Sequence, residues 1–122
     1  MTPEQQFDLL RSELRSSPRR GAWVALANSR FDGRLSRVAE LFTITRAEYL
    51  AWAQTLPLEA FVGTAPDSFD GDYLLQERGG WVLYAQEREM RSCEKRFATE
   101  AEARAHVMRH CSPFGIYRAL RE

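Results

Sequence analysis

The stretch "GDYLLQERGGWVLYAQERE", residues 71–89, decides the fold. Large apolar side chains alternate on either side of Gly79–Gly80, and glycine visits the positive φ of tight hairpin loops at no steric cost. It reads as a β-hairpin turning at that glycine pair. Whether the loop holds two residues or four, the same faces result: Tyr73, Leu75, Val82 and Tyr84 on one side, Leu74, Gln76, Trp81 and Leu83 on the other. Both faces carry large apolar groups. One must therefore meet other elements, and the second must also be covered or stand as an unusually aromatic surface.

Downstream, "CEKRF" supplies a third short strand ending at Phe97, and "TEAE" at 99–102 is a capping-box signature opening a helix to about His110. Ala101, Ala105 and Met108 are expected on the core side of that helix. The closing "SPFGIYRALRE" reads as a turn followed by a terminal apolar packing segment.

Upstream, Thr2, Pro3 and Glu4 provide an N-cap, a proline tolerated in the first turn and an early acid, and Phe7, Leu10 and Leu14 follow at helical spacing to about Arg15. "SSPRRG" breaks the pattern. Trp23, Leu26 and Ala27 then fit a short helix while Val24 and Leu26 fit a strand, which leaves the type of residues 22–31 open. Leu35, Val38, Ala39 and Phe42 repeat at the spacing of one buried helical face. "TRAE" at 45–48 is a second capping box, with Ile44 and Tyr49 placed as a hydrophobic staple. Tyr49, Trp52, Ala53 and Leu56 share a face before Pro57 stops the helix. The irregular "LPLEAFVGTAPDSFDG" leads into the hairpin. The expected fold is α+β: N-terminal helices packed on a small antiparallel meander of about three strands, with a C-terminal helix completing the core.

At 122 residues, 44% of them hydrophobic, the chain suits a single domain spanning 1–122 that needs neither disulfide nor metal for its core. A formal charge of zero argues against a nucleic-acid partner, since phosphate contacts demand a basic excess. No run of roughly 18 apolar residues suggests a membrane span, and the first twenty residues lack the apolar centre of a secretory leader. These features lead us to expect a cytoplasmic protein, with Cys93 and Cys111 as reduced thiols.

Candidate chemistry is sparse. His106 and His110 stand at i, i+4 with Cys111 adjacent and Cys93 upstream, but both histidines fall on the polar side of their helix and Cys111 toward the apolar arc. No metal site, cofactor or catalytic group is expected. Gly79–Gly80 lacks the strand-to-helix context of a phosphate loop. Trp23, Trp52 and Trp81 read as core anchors. Charge is more informative: residues 47–77 hold six acids and no lysine or arginine, whereas the segments before and after each carry an excess of three bases. Within that acidic segment, Asp67, Asp70 and Asp72 flank Phe69. A solvated acidic loop is one reading. The other is a partner-binding group of Asp67, Phe69, Asp70 and Asp72, supported by Glu77, with charge to steer a basic partner and an aromatic anchor to hold it.

The order of a strand, a glycine turn, a tryptophan-led strand, an "ER" exit, a third edge and an "F-x-T-E-x-E-A" helix resembles small immunity proteins of bacterial secreted polymorphic toxins. Among these it looks most like proteins paired with NAD-degrading or ADP-ribosyl-type toxins. The resemblance covers residues 72 to 110 and rests on Trp81, Glu87, Arg88, Phe97, Thr99 and Glu102. It implies a non-catalytic protein, monomeric when free, that binds one cognate toxin domain and blocks its active site. An interaction or regulatory domain for a different protein is the alternative, and a small enzyme the third reading.

Overall fold

In the computed structural model, which describes residues 1–122, the hairpin forms with its turn one residue earlier than expected. Strand β1 (Gly71–Glu77) pairs antiparallel with β2 (Gly80–Glu87), and Glu77 faces Gly80, so the turn residues are Arg78 and Gly79. Their φ values of 51° and 76° are both positive, the combination that matches the twist of the flanking strands. Gly80 serves a different need: a Cβ there would stand 2.9 Å from the Phe97 carbonyl of the next strand. That strand, β3 (Met90–Phe97), completes a β1-β2-β3 meander and begins before the expected Cys93. A second two-residue turn, Arg88–Glu89 with φ of 51° and 64°, allows the earlier start. Both turns are entered through the same tripeptide, Gln-Glu-Arg, at 76–78 and 86–88. Cys93, at φ 55°, lies in a bulge where the β2–β3 register slips between Leu83 and Ala85.

The two faces are divided as the alternation requires. Tyr73 faces Tyr84 and Leu75 faces Val82, while Leu74 faces Leu83 and Gln76 faces Trp81. Leu74 and Leu83 join the main core with the helices, and half-buried Trp81 packs at its margin. Tyr73, Leu75, Val82 and Tyr84 form a second buried cluster on the far face. Its cover is cationic: the Arg91 guanidinium lies 4.1 Å from the Tyr84 ring centre and that of Arg15 lies 5.5 Å from Tyr73. Arg91 is fixed there by two hydrogen bonds to Glu77, of 2.8 and 3.1 Å. The guanidinium groups thus lie over the aromatic face as cation–π partners.

Helix α1 (Pro3–Ser12) carries a full capping box between Thr2 and Gln5 but ends before the expected Arg15. Glu13 leaves the helix to cap the next one, accepting from the Gly21 and Trp23 amides at 3.2 and 2.9 Å. Residues 22–30, open between helix and strand, form helix α2 (Ala22–Arg30), whose own N-cap glycine offers no side-chain acceptor. Residues 35–41 form a 3₁₀-helix rather than the expected α-helix. No side chain caps its start, and the Leu35 carbonyl accepts the Trp23 indole N–H at 2.9 Å, drawing it toward α2. Leu35 is consequently exposed and Val38 is the fully buried residue.

Helix α3 (Arg46–Ala53) begins with the expected reciprocal box: Thr45 Oγ1 accepts from the Glu48 amide at 3.1 Å and Glu48 Oε1 from the Thr45 amide at 2.9 Å. After it, Gly63 runs beside β1, exchanging backbone hydrogen bonds with Asp72 and Leu74. Only glycine fits at 63, because a Cβ would overlap the Tyr73 ring.

Helix α4 (Glu100–His110) differs from expectation twice. Thr99 accepts from the Glu102 amide at 3.2 Å, but the return bond of a capping box is not made. Its buried residues are Ala103, Val107 and Met108, with Ala101 and Ala105 exposed. Turning the helix to bury Val107 removes more apolar surface from water than burying either alanine. Arg104 holds that rotation by donating to the Leu56 carbonyl at 2.7 Å. A short helix α5 (Ile116–Ala119) ends the chain, tied to α3 by Arg46, which donates to the Tyr117 and Arg118 carbonyls. The architecture is α+β with an antiparallel three-stranded sheet, and no helix is long and apolar enough to cross a membrane.

Candidate interaction surface

Polar groups gather in three places. A cleft of about 330 Å³ is lined in part by Glu13, Arg15, Arg20, Asp70, Asp72 and Cys111. Most of its charges already hold backbone or ring. Glu13 caps α2, Arg20 donates to the Leu14 and Arg15 carbonyls, and Arg15 lies over Tyr73. Burial, reinforced by the Asp72 charge, pushes the Cys111 thiol up to about 12, so it stays protonated and poorly nucleophilic at neutral pH. Asp72 points to the helix side of the sheet, where partial burial of its carboxyl raises its pKa.

On α4, His106 and His110 stack at 4.2 Å between ring centres, and His106 rests on Phe97 at 5.2 Å. Burial, then the neighbouring His110 and Lys95 charges, lower the His106 pKa. No group of three His, Cys, Asp or Glu side chains converges as a metal site would require.

The third place is the end of the sheet where residues 64–70 meet the β2–β3 turn. The chain from Thr64 to Asp70 is exposed throughout, yet it is pinned from below. Gln86, mostly buried, donates through Nε2 to the Asp67 and Phe69 carbonyls at 2.8 and 2.9 Å. The Tyr73 hydroxyl donates to the same Phe69 carbonyl at 2.7 Å. Asp70 Oδ1 accepts from the Arg88 amide at 2.9 Å, linking the loop to the neighbouring turn. The Phe69 side chain takes no part in this framework, and the residue is 70% exposed.

Of the five residues expected to meet a partner, three stand together here: Asp67, Phe69 and Asp70. Asp72 is adjacent in sequence but directed into the cleft. Glu77 lies at the opposite end of β1, about 16 Å from Asp72 at the rise of a strand, and on the other face. Its charge is engaged as well: hydrogen bonding from Arg91 lowers its pKa. The structure adds residues absent from that group. Met90, 71% exposed, opens β3 opposite Glu87, one step beyond the Gln86–Arg91 pair. A shallow depression of about 470 Å³ is lined by Glu87, Arg88, Met90 and Ser92. The signal for these residues was the second Gln-Glu-Arg, which marks a turn as the first does.

The chain matches no protein-family model, no curated protein and no solved structure.

Proposed function

We propose that this chain is a non-catalytic inhibitor that binds one toxin domain and blocks its active site, as immunity proteins of secreted polymorphic toxins do. The observation carrying this reading is Phe69, an aromatic ring left 70% exposed on a loop whose carbonyls are held by Gln86 and Tyr73. A large apolar side chain on a preorganised support loses little freedom when a partner covers it, which is what an interface anchor requires. The acids beside it suit a basic active cleft of the kind that binds phosphate-bearing substrates. Residues 72–110, which carry the resemblance to immunity proteins, build the sheet and α4 beneath this loop. The non-catalytic part of the reading is supported by the cleft, most of whose charged groups already hold backbone or ring and whose thiol is held protonated.

The reading expects a secreted toxin to be encoded beside this chain's gene, and the test is co-expression with the toxin domain found there. Growth of cells making the toxin domain should be restored by the wild-type chain. Asp67→Lys should slow association while leaving the melting curve unchanged, because an exposed charge contributes little to folding. Protection no better than an empty vector overturns the proposal.

A further inference from the structure

We infer that the partner is gripped at two apolar points, Phe69 from the 64–70 loop and Met90 from the β2–β3 turn, by a basic protein surface with a socket for each. This rests on the inhibitor reading above and specifies the contact it uses. Phe69 and Met90 are the two most exposed large apolar side chains of the chain, at 70% and 71%. They are not scattered. The register sets Gly71 against Gln86 and Gln86 against Arg91, with Glu87 against Met90, so both prongs leave the same end of the sheet. Two strand spacings, about 10 Å, separate Gly71, two residues after Phe69, from Arg91, which follows Met90.

Each prong is held. The Gln86 amide fixes the carbonyls of the first, and the Asp70–Arg88 hydrogen bond ties the loop to the turn preceding the second. The depression beside Met90, lined by Glu87, Arg88 and Ser92, offers room for a reciprocal side chain. Charge selects the partner: the segments carrying the prongs hold Asp67, Asp70, Glu87 and Glu89 against Arg88 and Arg91, and the Arg91 guanidinium is already held by Glu77. A cationic protein surface complements that end. An anionic surface, such as nucleic acid or an acidic membrane, is repelled by it. Two apolar anchors ringed by charge also match the arrangement in which a few desolvated side chains carry most of the binding energy.

The test uses the purified chain with the toxin domain encoded beside its gene, titrated at low and moderate salt. Phe69→Ala and Met90→Ala are each expected to weaken the complex by about tenfold or more, mainly through faster dissociation. Circular dichroism melts should match wild type, since neither side chain is buried. Salt should weaken the wild-type complex and the two variants in parallel. A complex that forms but is indifferent to Met90→Ala overturns the two-point grip and leaves the inhibitor reading standing. No complex at micromolar concentration overturns both. If the chain instead self-associates through this end, and Met90→Ala abolishes that, the occupant is a second copy and the proposal falls.

Discussion

Two glutamines perform the same task in opposite settings. Gln6, fully buried on α1, accepts from the Thr43 and Ile44 amides at 2.9 and 3.1 Å and donates to the Met1 carbonyl and the Thr43 hydroxyl at 3.0 and 2.8 Å. Gln86, near the end of the central strand β2, uses only its Nε2, to hold two carbonyls of the 64–70 loop. Both amides order a segment with no regular structure of its own. Gln6 orders a segment whose next residue, Ile44, is buried in the core, so its hydrogen bonds accompany burial. Gln86 orders a segment that stays in water and exposes Phe69. The same chemistry serves folding in one place and presentation in the other.

The contrast predicts unequal consequences when each amide is lost. Gln6→Leu keeps the volume but strips partners from two backbone amides near the core, and is expected to destabilise the chain by about 3 kcal/mol. Chemical denaturation read by tryptophan fluorescence would measure it, and a loss under about 1 kcal/mol would mean that water replaces the amide. Gln86→Leu should cost less, about 1 kcal/mol, because the freed loop carbonyls remain open to solvent. Its larger effect should be on motion: amide hydrogen exchange across residues 64–70 should accelerate while the strands keep their protection. Unchanged exchange there would show that the Tyr73 hydroxyl and the Asp70–Arg88 hydrogen bond suffice to fix the loop.

How far these roles were legible in the sequence follows the same division. Local signals translated well. The Thr45–Glu48 box, the alternation from Tyr73 to Tyr84 and the end of β3 at Phe97 all depend on near neighbours in the chain. Features set by distant contacts did not. Nothing near Glu13 indicates that it caps α2, nothing in Leu35–Leu41 shows that a tryptophan takes its first carbonyl, and the alanine spacing on α4 hid the stronger pull of Val107. At the candidate surface, Asp67, Phe69 and Asp70 were legible because composition alone marks them. Met90 was not, since its position depends on a turn built from two residues, Arg88 and Glu89, that rarely adopt positive φ. Glu77 was drawn into the group by sequence proximity, which a strand converts into distance.

A third polar group sharpens the comparison by having no partner at all. Asp72 lies between the two regions, in β1 beside the loop that Gln86 orders, and burial alone raises its pKa above the ordinary 3.8. The sign follows from which state binds the proton more tightly. Because the folded chain holds it more tightly, folding is least penalised below about pH 3.8, where the carboxyl is neutral in both states. The penalty then grows as pH rises through the folded pKa and is complete at neutral pH. Asp72→Asn keeps the shape without the charge, so it should raise the melting temperature at neutral pH, by the smallest effect of the three. That gain should shrink on acidification and vanish below the unfolded-state value. A gain that persists unchanged in acid would point to new hydrogen bonds from the asparagine amide, and a loss at neutral pH would mean that the carboxylate has a stabilising cation. Arg15 and Arg20, which line the same cleft, are the residues to mutate next in that event.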